Sequence, residues 1–100
     1  MTNEEKYENK KFIHIHLSTN YVGTDEDYYE CVDINISDEE IENEFKTYVY
    51  SHYSDYVYIV DDYAYESEEE KEEAEQEFEV ECFENSYWEY TTLETYLENT

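Results

Sequence analysis

The sequence predicts an α+β domain, with an antiparallel sheet of three to four strands and two helices on one face. Three observations lead there. Two alternating stretches near the start read as a pair of strands, and two Ser-x-x-Glu segments each precede a run with helical spacing. A short aromatic stretch near the end reads as a returning strand. The expected order is ββαβαβ with a short C-terminal helix, an arrangement that places helices over a sheet.

Phe12 to Leu17 alternates, with Ile13, Ile15 and Leu17 on one face and Phe12, His14 and His16 on the other. A half-buried strand has that pattern. Ser18 to Asp27 contains the only glycine, Gly23, and predicts a hairpin-type loop with an acidic tip at Asp25, Glu26 and Asp27. Tyr28 to Ile36 alternates again and directs Val32, Ile34 and Ile36 toward the core. Ser37-Asp-Glu-Glu40 fits a capping box, and Ile41, Phe45, Tyr48 and Val49 then share one helical stripe ending near Ser51. Asp55 to Tyr65 is rich in tyrosine, valine and isoleucine, which predicts a third strand.

Ser67-Glu-Glu-Glu70 repeats the capping box. Beyond it Ala74, Phe78 and Cys82 step by four toward a helix end near Glu84. Phe78-Glu-Val-Glu-Cys82 also alternates as a strand would. Glutamate is a good helix former and a poor strand former, so the helix is the favoured reading. Tyr87 to Thr91 fits a fourth strand and Leu93 to Leu97 a short closing helix.

One hundred residues make one domain, residues 1–100, barely large enough for a core. High net charge with low hydropathy is the signature of disorder. Against disorder stand 19% aromatic residues, among them 14 tyrosines, and the absence of proline. Acidic disordered tails are poor in aromatics. The chain is expected to fold, apart from a charge-neutral, partly flexible arm over residues 1–11, where three glutamates meet three lysines.

Thirty acidic residues against five lysines give a formal charge of −25. Duplex DNA carries roughly one charge per 1.7 Å of axis, so this charge matches about 42 Å of duplex. A compact chain of this length has a radius of gyration of about 13 Å. Solubility needs a net charge of only about 2–8, and the excess costs stability through self-repulsion. Such a balance excludes direct binding of nucleic acid or of anionic membranes and favours a basic partner. No apolar run is long enough for a transmembrane helix, and the first ten residues hold no signal-peptide core. A cytoplasmic location is expected, with Cys31 and Cys82 as reduced thiols.

With so many acids, a pair such as Asp61-Asp62 or Glu68-Glu69 carries almost no catalytic information. No Ser–His–Asp order, phosphate loop or HExxH is present, and clustered carboxylates without histidine or arginine partners are poor catalysts near neutral pH. An enzyme is not expected, nor is a cofactor. His14-x-His16 has the residue type for zinc, but neither Cys31 nor Cys82 has a neighbour at ligand spacing. A structural or solvent-facing histidine pair is the preferred reading, with no metal. Asp25-Glu-Asp27 lacks the spacing of an EF-hand, so cation screening is preferred there too.

Taken together, the acids do carry information. Asp25, Glu26 and Asp27 in the loop, Asp38 and Glu39 at a helix start, Asp61 and Asp62, and Glu68, Glu69, Glu70, Glu72 and Glu73 cover most exposed elements. Tyr28 and Tyr63 stand beside them. There are too many tyrosines for a small core, and the remainder suit an interface, where aromatics pair with arginine faces. These acids and the two tyrosines are the candidate partner-binding residues.

The segment Leu17-Ser-Thr-Asn-Tyr-Val-Gly-Thr-Asp25, followed by an acidic strand and a capped helix, resembles a group of small acidic proteins common in bacteriophage genomes. Those proteins carry a Ser-Thr-Gly-Tyr-Val-Gly-type turn after the first strand, and Asn20 stands here where glycine is usual. The tail Trp88-Glu-Tyr-Thr-Thr-Leu-Glu-Thr-Tyr96 is similar to how they end. The resemblance implies phage origin and, by analogy with acidic phage proteins of this size, a DNA mimic of the anti-CRISPR or anti-restriction kind. The expected partner is a basic nucleic-acid-binding protein of the infected host, first a CRISPR effector. A restriction enzyme, a DNA-repair glycosylase or a nucleoid protein are the alternatives. A halophile-adapted or cation-buffering acidic domain is the reading from another class, and the asparagine- and tyrosine-rich composition speaks against it.

Overall fold

The computed structural model describes residues 3–100, in the order α1 (Asn3–Lys6), β1 (Lys10–Leu17), β2 (Glu26–Asp33), α2 (Asp38–Tyr56), α3 (Tyr58–Asp61), α4 (Glu68–Asn85), β3 (Tyr87–Thr91) and α5 (Leu93–Glu98). The class is α+β. One antiparallel sheet has the strand order β2-β1-β3, so the first strand is central and pairs with both others.

β1 owes its central place to its alternation. Ile13, Ile15 and Leu17 belong to one buried cluster with Ile41, Phe45 and Val49 of α2, Val60 of α3, and Phe78 and Cys82 of α4. Full burial of each such aliphatic chain contributes about 1.5–3 kcal/mol, and this single cluster has to offset the charge repulsion. The opposite face of β1 carries Phe12, His14 and His16. Tyr96 of α5 packs on Phe12 at 5.1 Å, and Tyr7 meets it edge-on at 5.7 Å. The closing helix therefore lies on the face away from α2 and α4.

Three helices start on hydroxyl caps. Ser37 accepts from the Glu40 backbone N–H, Ser67 from Glu70 and Thr92 from Thr95. Each satisfies a backbone donor that the first helical turn leaves free.

The structure corrects several expectations. Asp55–Tyr65 is not a strand. α2 runs on to Tyr56 and α3 follows almost at once, so the expected helix end near Ser51 is also too early. The buried stripe explains this: Ile41, Phe45, Val49 and His52 continue through Tyr56 to Val60, three or four residues apart throughout. That period outweighs the strand preference of the tyrosines and β-branched residues. The sheet thus has three strands, with Tyr87–Thr91 the third. β2 ends at Asp33, whose carboxylate accepts from the Asn35 N–H at 2.8 Å and turns the chain. Ile34 is consequently half-exposed in the turn rather than directed at the core, while Ile36 still packs against it. Of the expected N-terminal arm, residues 1 and 2 lie outside the described residues. Asn3–Lys6 forms one helical turn, and Lys10 and Lys11 open β1. Asn9 supplies the left-handed link between them with φ 63°, a conformation asparagine tolerates better than most residues.

The shape departs most from expectation. The radius of gyration is 17.1 Å and the principal extents are 62 × 26 × 16 Å. α2 and α4 form an antiparallel helical hairpin, with Tyr53 against Phe78 and Tyr50 against Phe83. Only part of that hairpin lies over the sheet, and its far end, with α3, projects beyond it. No helix among the described residues is long and apolar enough to cross a membrane.

Candidate partner-binding surface and the open sheet face

The acids fall into three separate places. Asp38 and Glu39 open α2, where Asp38 accepts from the Tyr90 hydroxyl of β3. Asp61, Asp62, Tyr63 and the α4 acids Glu68, Glu69, Glu70, Glu72 and Glu73 lie at the other end, since α2 is 19 residues long and spans about 28 Å. There Asp61, Tyr63, Tyr65, Glu66 and Glu68 line one cleft together with Lys71. One Asp61 oxygen is buried without a hydrogen-bond partner among the described residues, and the hydrogen bond between Asp61 and Glu75 holds the Glu75 carboxyl above its usual range.

The third place is the start of β2. Asp25, Glu26 and Asp27 do not form an acidic loop tip. The tip is Tyr21–Gly23, with Val22 fully exposed and Gly23 at φ 87°. Strand alternation sends the acids in different directions. Asp25 accepts from Ser18, tying down the loop that Thr19 and Thr24 close with a 2.7 Å hydroxyl contact. Glu26 points to the helix side, 3.1 Å from Nδ1 of the buried His52. Asp27 points to the open side of the sheet. Tyr28, on the helix side, packs on Tyr48 at 5.2 Å.

On the helix side β2 works as an acceptor rail. Glu30 accepts from the Tyr48 hydroxyl and pushes that phenol up to about 12. Glu44, beside Glu30, is also raised, by burial first and then by the neighbouring charge. These carboxylates have inward roles, so they add less to a contact surface than their number suggests.

Helix α4 is different. Ten glutamates line its 18 residues, and the first five of them are exposed. Its outer face, through Glu73, Glu77, Val80, Glu81 and Glu84, is a continuous acidic strip with a half-exposed valine in it.

No known family, curated protein or solved structure matches this chain. The residues themselves carry the functional reading.

The open sheet face holds residues that local sequence spacing does not bring together. Across the strands His16 lies opposite Asp27 and Tyr87, and His14 opposite Tyr29 and Glu89. One Asp27 oxygen is 2.7 Å from His14 Nε2 and 2.8 Å from His16 Nδ1, and Glu89 is 3.1 Å from His14 Nδ1. Burial works to lower His14, but the hydrogen bonds with Asp27 and Glu89 outweigh it and its pKa is raised. Asp27 is held below the usual range by hydrogen bonds from His16 and then His14. Of the two readings the sequence left open, structural or solvent-facing, the geometry is that of a structural pair. It is half-buried and tied to carboxylates from both neighbouring strands. The antiparallel register of β1 and β2 is the signal that links them, because it sets His16 against Asp27.

Proposed function

We propose that this chain is a DNA mimic, a rigid acidic rod that occupies the DNA-binding surface of a basic partner and catalyses nothing itself. One observation carries the reading: a net charge of −25 distributed over a body 62 Å long. That is roughly one charge per 2.5 Å, between the 1.7 Å of duplex and the 3.4 Å of a single strand. The charge is more dilute than a compact body would make it, because the molecule is longer. Regular helices hold the carboxylates in place, which a mimic of a stiff polymer requires. Exposed tyrosines stand among these acids, Tyr50 on α2, Tyr58 on α3 and Tyr63 in the connection that follows α3. They suit the guanidinium and ammonium groups that line a DNA channel.

Within this reading α4 and the Asp61–Tyr63 cleft are the contact surface, and Asp25, Glu26 and Asp27 serve the fold. The resemblance to phage proteins directs the proposal to a bacterial defence nuclease, a CRISPR effector first and a restriction enzyme next. A competition titration tests it. Labelled duplex is bound to a purified effector or restriction enzyme and the acidic chain is added in rising amounts. The expected result is full displacement of the duplex, with an affinity that falls steeply with salt. A ternary complex in which duplex and this chain bind together, without mutual loss of affinity, refutes the mimic.

A further inference from the structure

We propose that His14, His16 and Asp27 form a binding site for a borderline divalent transition-metal ion, with Zn²⁺ the best fit, on the open face of the sheet. The three donors have the chemistry zinc prefers, two imidazole nitrogens and a carboxylate. Their ligand atoms all lie within 4.8 Å of one another. His14 and His16 are two residues apart on one strand, which puts both rings on the same face, and Asp27 reaches them from the neighbouring strand.

The geometry is close to that of a loaded site. Ligand atoms about 2.0–2.1 Å from a tetrahedral ion are about 3.3 Å apart. Asp27 is now 2.7 and 2.8 Å from the two nitrogens and would retreat by about half an ångström, while the two nitrogens, within 4.8 Å of each other, would close toward the same separation. Its side chain is 48% exposed and free to do so. In the hydrogen-bonded arrangement, protons on His14 Nε2 and His16 Nδ1 converge on one carboxylate oxygen. A metal ion replaces those protons and takes the same three atoms as ligands.

The surroundings favour the exchange. His14 Nδ1 is 3.1 Å from Glu89, so its N–H donates there and the Nε2 lone pair faces the ion. That carboxylate–histidine support is what orients metal-binding imidazoles. Both rings are also held in place, His14 stacked on Tyr29 at 4.7 Å and His16 on Tyr87 at 5.1 Å. Three protein donors leave a fourth position, open on the solvent side, for water or for a group from a partner. The site lies across the sheet from α4, so it is independent of the DNA-mimic reading.

A dense acidic surface concentrates any divalent cation, and the test must separate that from a built site. The intact chain is stripped with EDTA, dialysed into moderate salt with excess Mg²⁺, and titrated with Zn²⁺ in a calorimeter. The histidine ring resonances are followed by NMR in parallel. The expected result is one equivalent of Zn²⁺ bound despite Mg²⁺, with the His14 and His16 resonances shifting and those of His52 unmoved. His16→Ala and Asp27→Asn should each weaken binding more than about tenfold, and Glu89→Ala about 10–100-fold, as expected for an outer partner. Glu68→Gln with Glu69→Gln should change nothing. Zn²⁺ that Mg²⁺ displaces, or that binds in several equivalents indifferent to His16→Ala, overturns the proposal and leaves screening alone. Histidine resonances that stay in place on adding Zn²⁺ overturn it as well, whether or not a variant folds.

Discussion

Trp88 Nε1 donates to the Glu42 carboxylate across 2.6 Å, fastening β3 to the first turns of α2. The bond is charge-assisted and half-buried, and it joins residues 46 apart in the chain. Trp88→Phe keeps an aromatic ring against the core and removes only the donor and part of the volume. We expect a loss of about 1–3 kcal/mol in urea unfolding, with helix content unchanged. An unchanged midpoint would show that this bond contributes nothing to docking the strand.

Phe78 and Val80 separate the helical from the extended reading of residues 78–82. In a strand both side chains would share one face, whereas in α4 Phe78 is buried and Val80 is half-exposed. Phe78→Ala should cost about 3–5 kcal/mol and Val80→Ala within about 0.5 kcal/mol. Comparable losses at both positions would contradict the helix.

The two cysteines should differ sharply toward a thiol reagent. Cys31 lies half-buried on the α5 side of the sheet, opposite Phe12, while Cys82 is sealed in the core, where burial pushes its thiol up to about 11. Thiolate is the reactive form, so in the native protein Cys31 should react and Cys82 should wait for unfolding. Stoichiometry by mass spectrometry before and after adding urea reads this directly. Two thiols modified at equal rates in the native state would disprove the assignment.

Stability should rise with salt and with mild acidification. Glu44 is raised by burial and by Glu30, and Glu75 by its hydrogen bond with Asp61. A carboxyl raised in the folded state contributes stability below its unfolded value near 4.5 and loses it as pH climbs through the folded value. The metal-free His14, raised above 6.5, has the same sign, with its contribution full below 6.5 and lost above its folded value. Asp27 is lowered below 3.8, so its contribution is present above 3.8 and disappears as pH falls through its folded value. The urea midpoint should therefore increase from pH 8 to about pH 5 and turn over below about pH 4. Added sodium chloride at pH 8 should raise it too, by screening like charges. A midpoint flat in both variables would mean that the acids are spaced too widely to repel.

Local pattern alone determined the class, the first hairpin, both long helices with their serine caps, and the last strand and helix. Alternation at Ile13, Ile15 and Leu17 and four-residue steps at Ala74, Phe78 and Cys82 report burial directly, because period follows from backbone geometry. The same rule was legible between Val49 and Val60. There composition pointed to a strand, while the stripe through His52, Tyr56 and Val57 kept helical period. The total charge was also a matter of sequence alone.

Tertiary structure decided where that charge lies and which residues meet. Nothing in the chain around Glu26, Glu30 or Glu42 shows that they accept from His52, Tyr48 and Trp88, since each partner arrives from a distant element. The 62 Å length arises because the α2–α4 hairpin overshoots a three-stranded sheet, a consequence of α2 continuing beyond Ser51. The histidine site has the same origin. His14 and His16 share a face by strand period, but Asp27 and Glu89 join them only through the register of two strand pairings. Register is a property of paired strands, fixed by the turn between them and by the core they share.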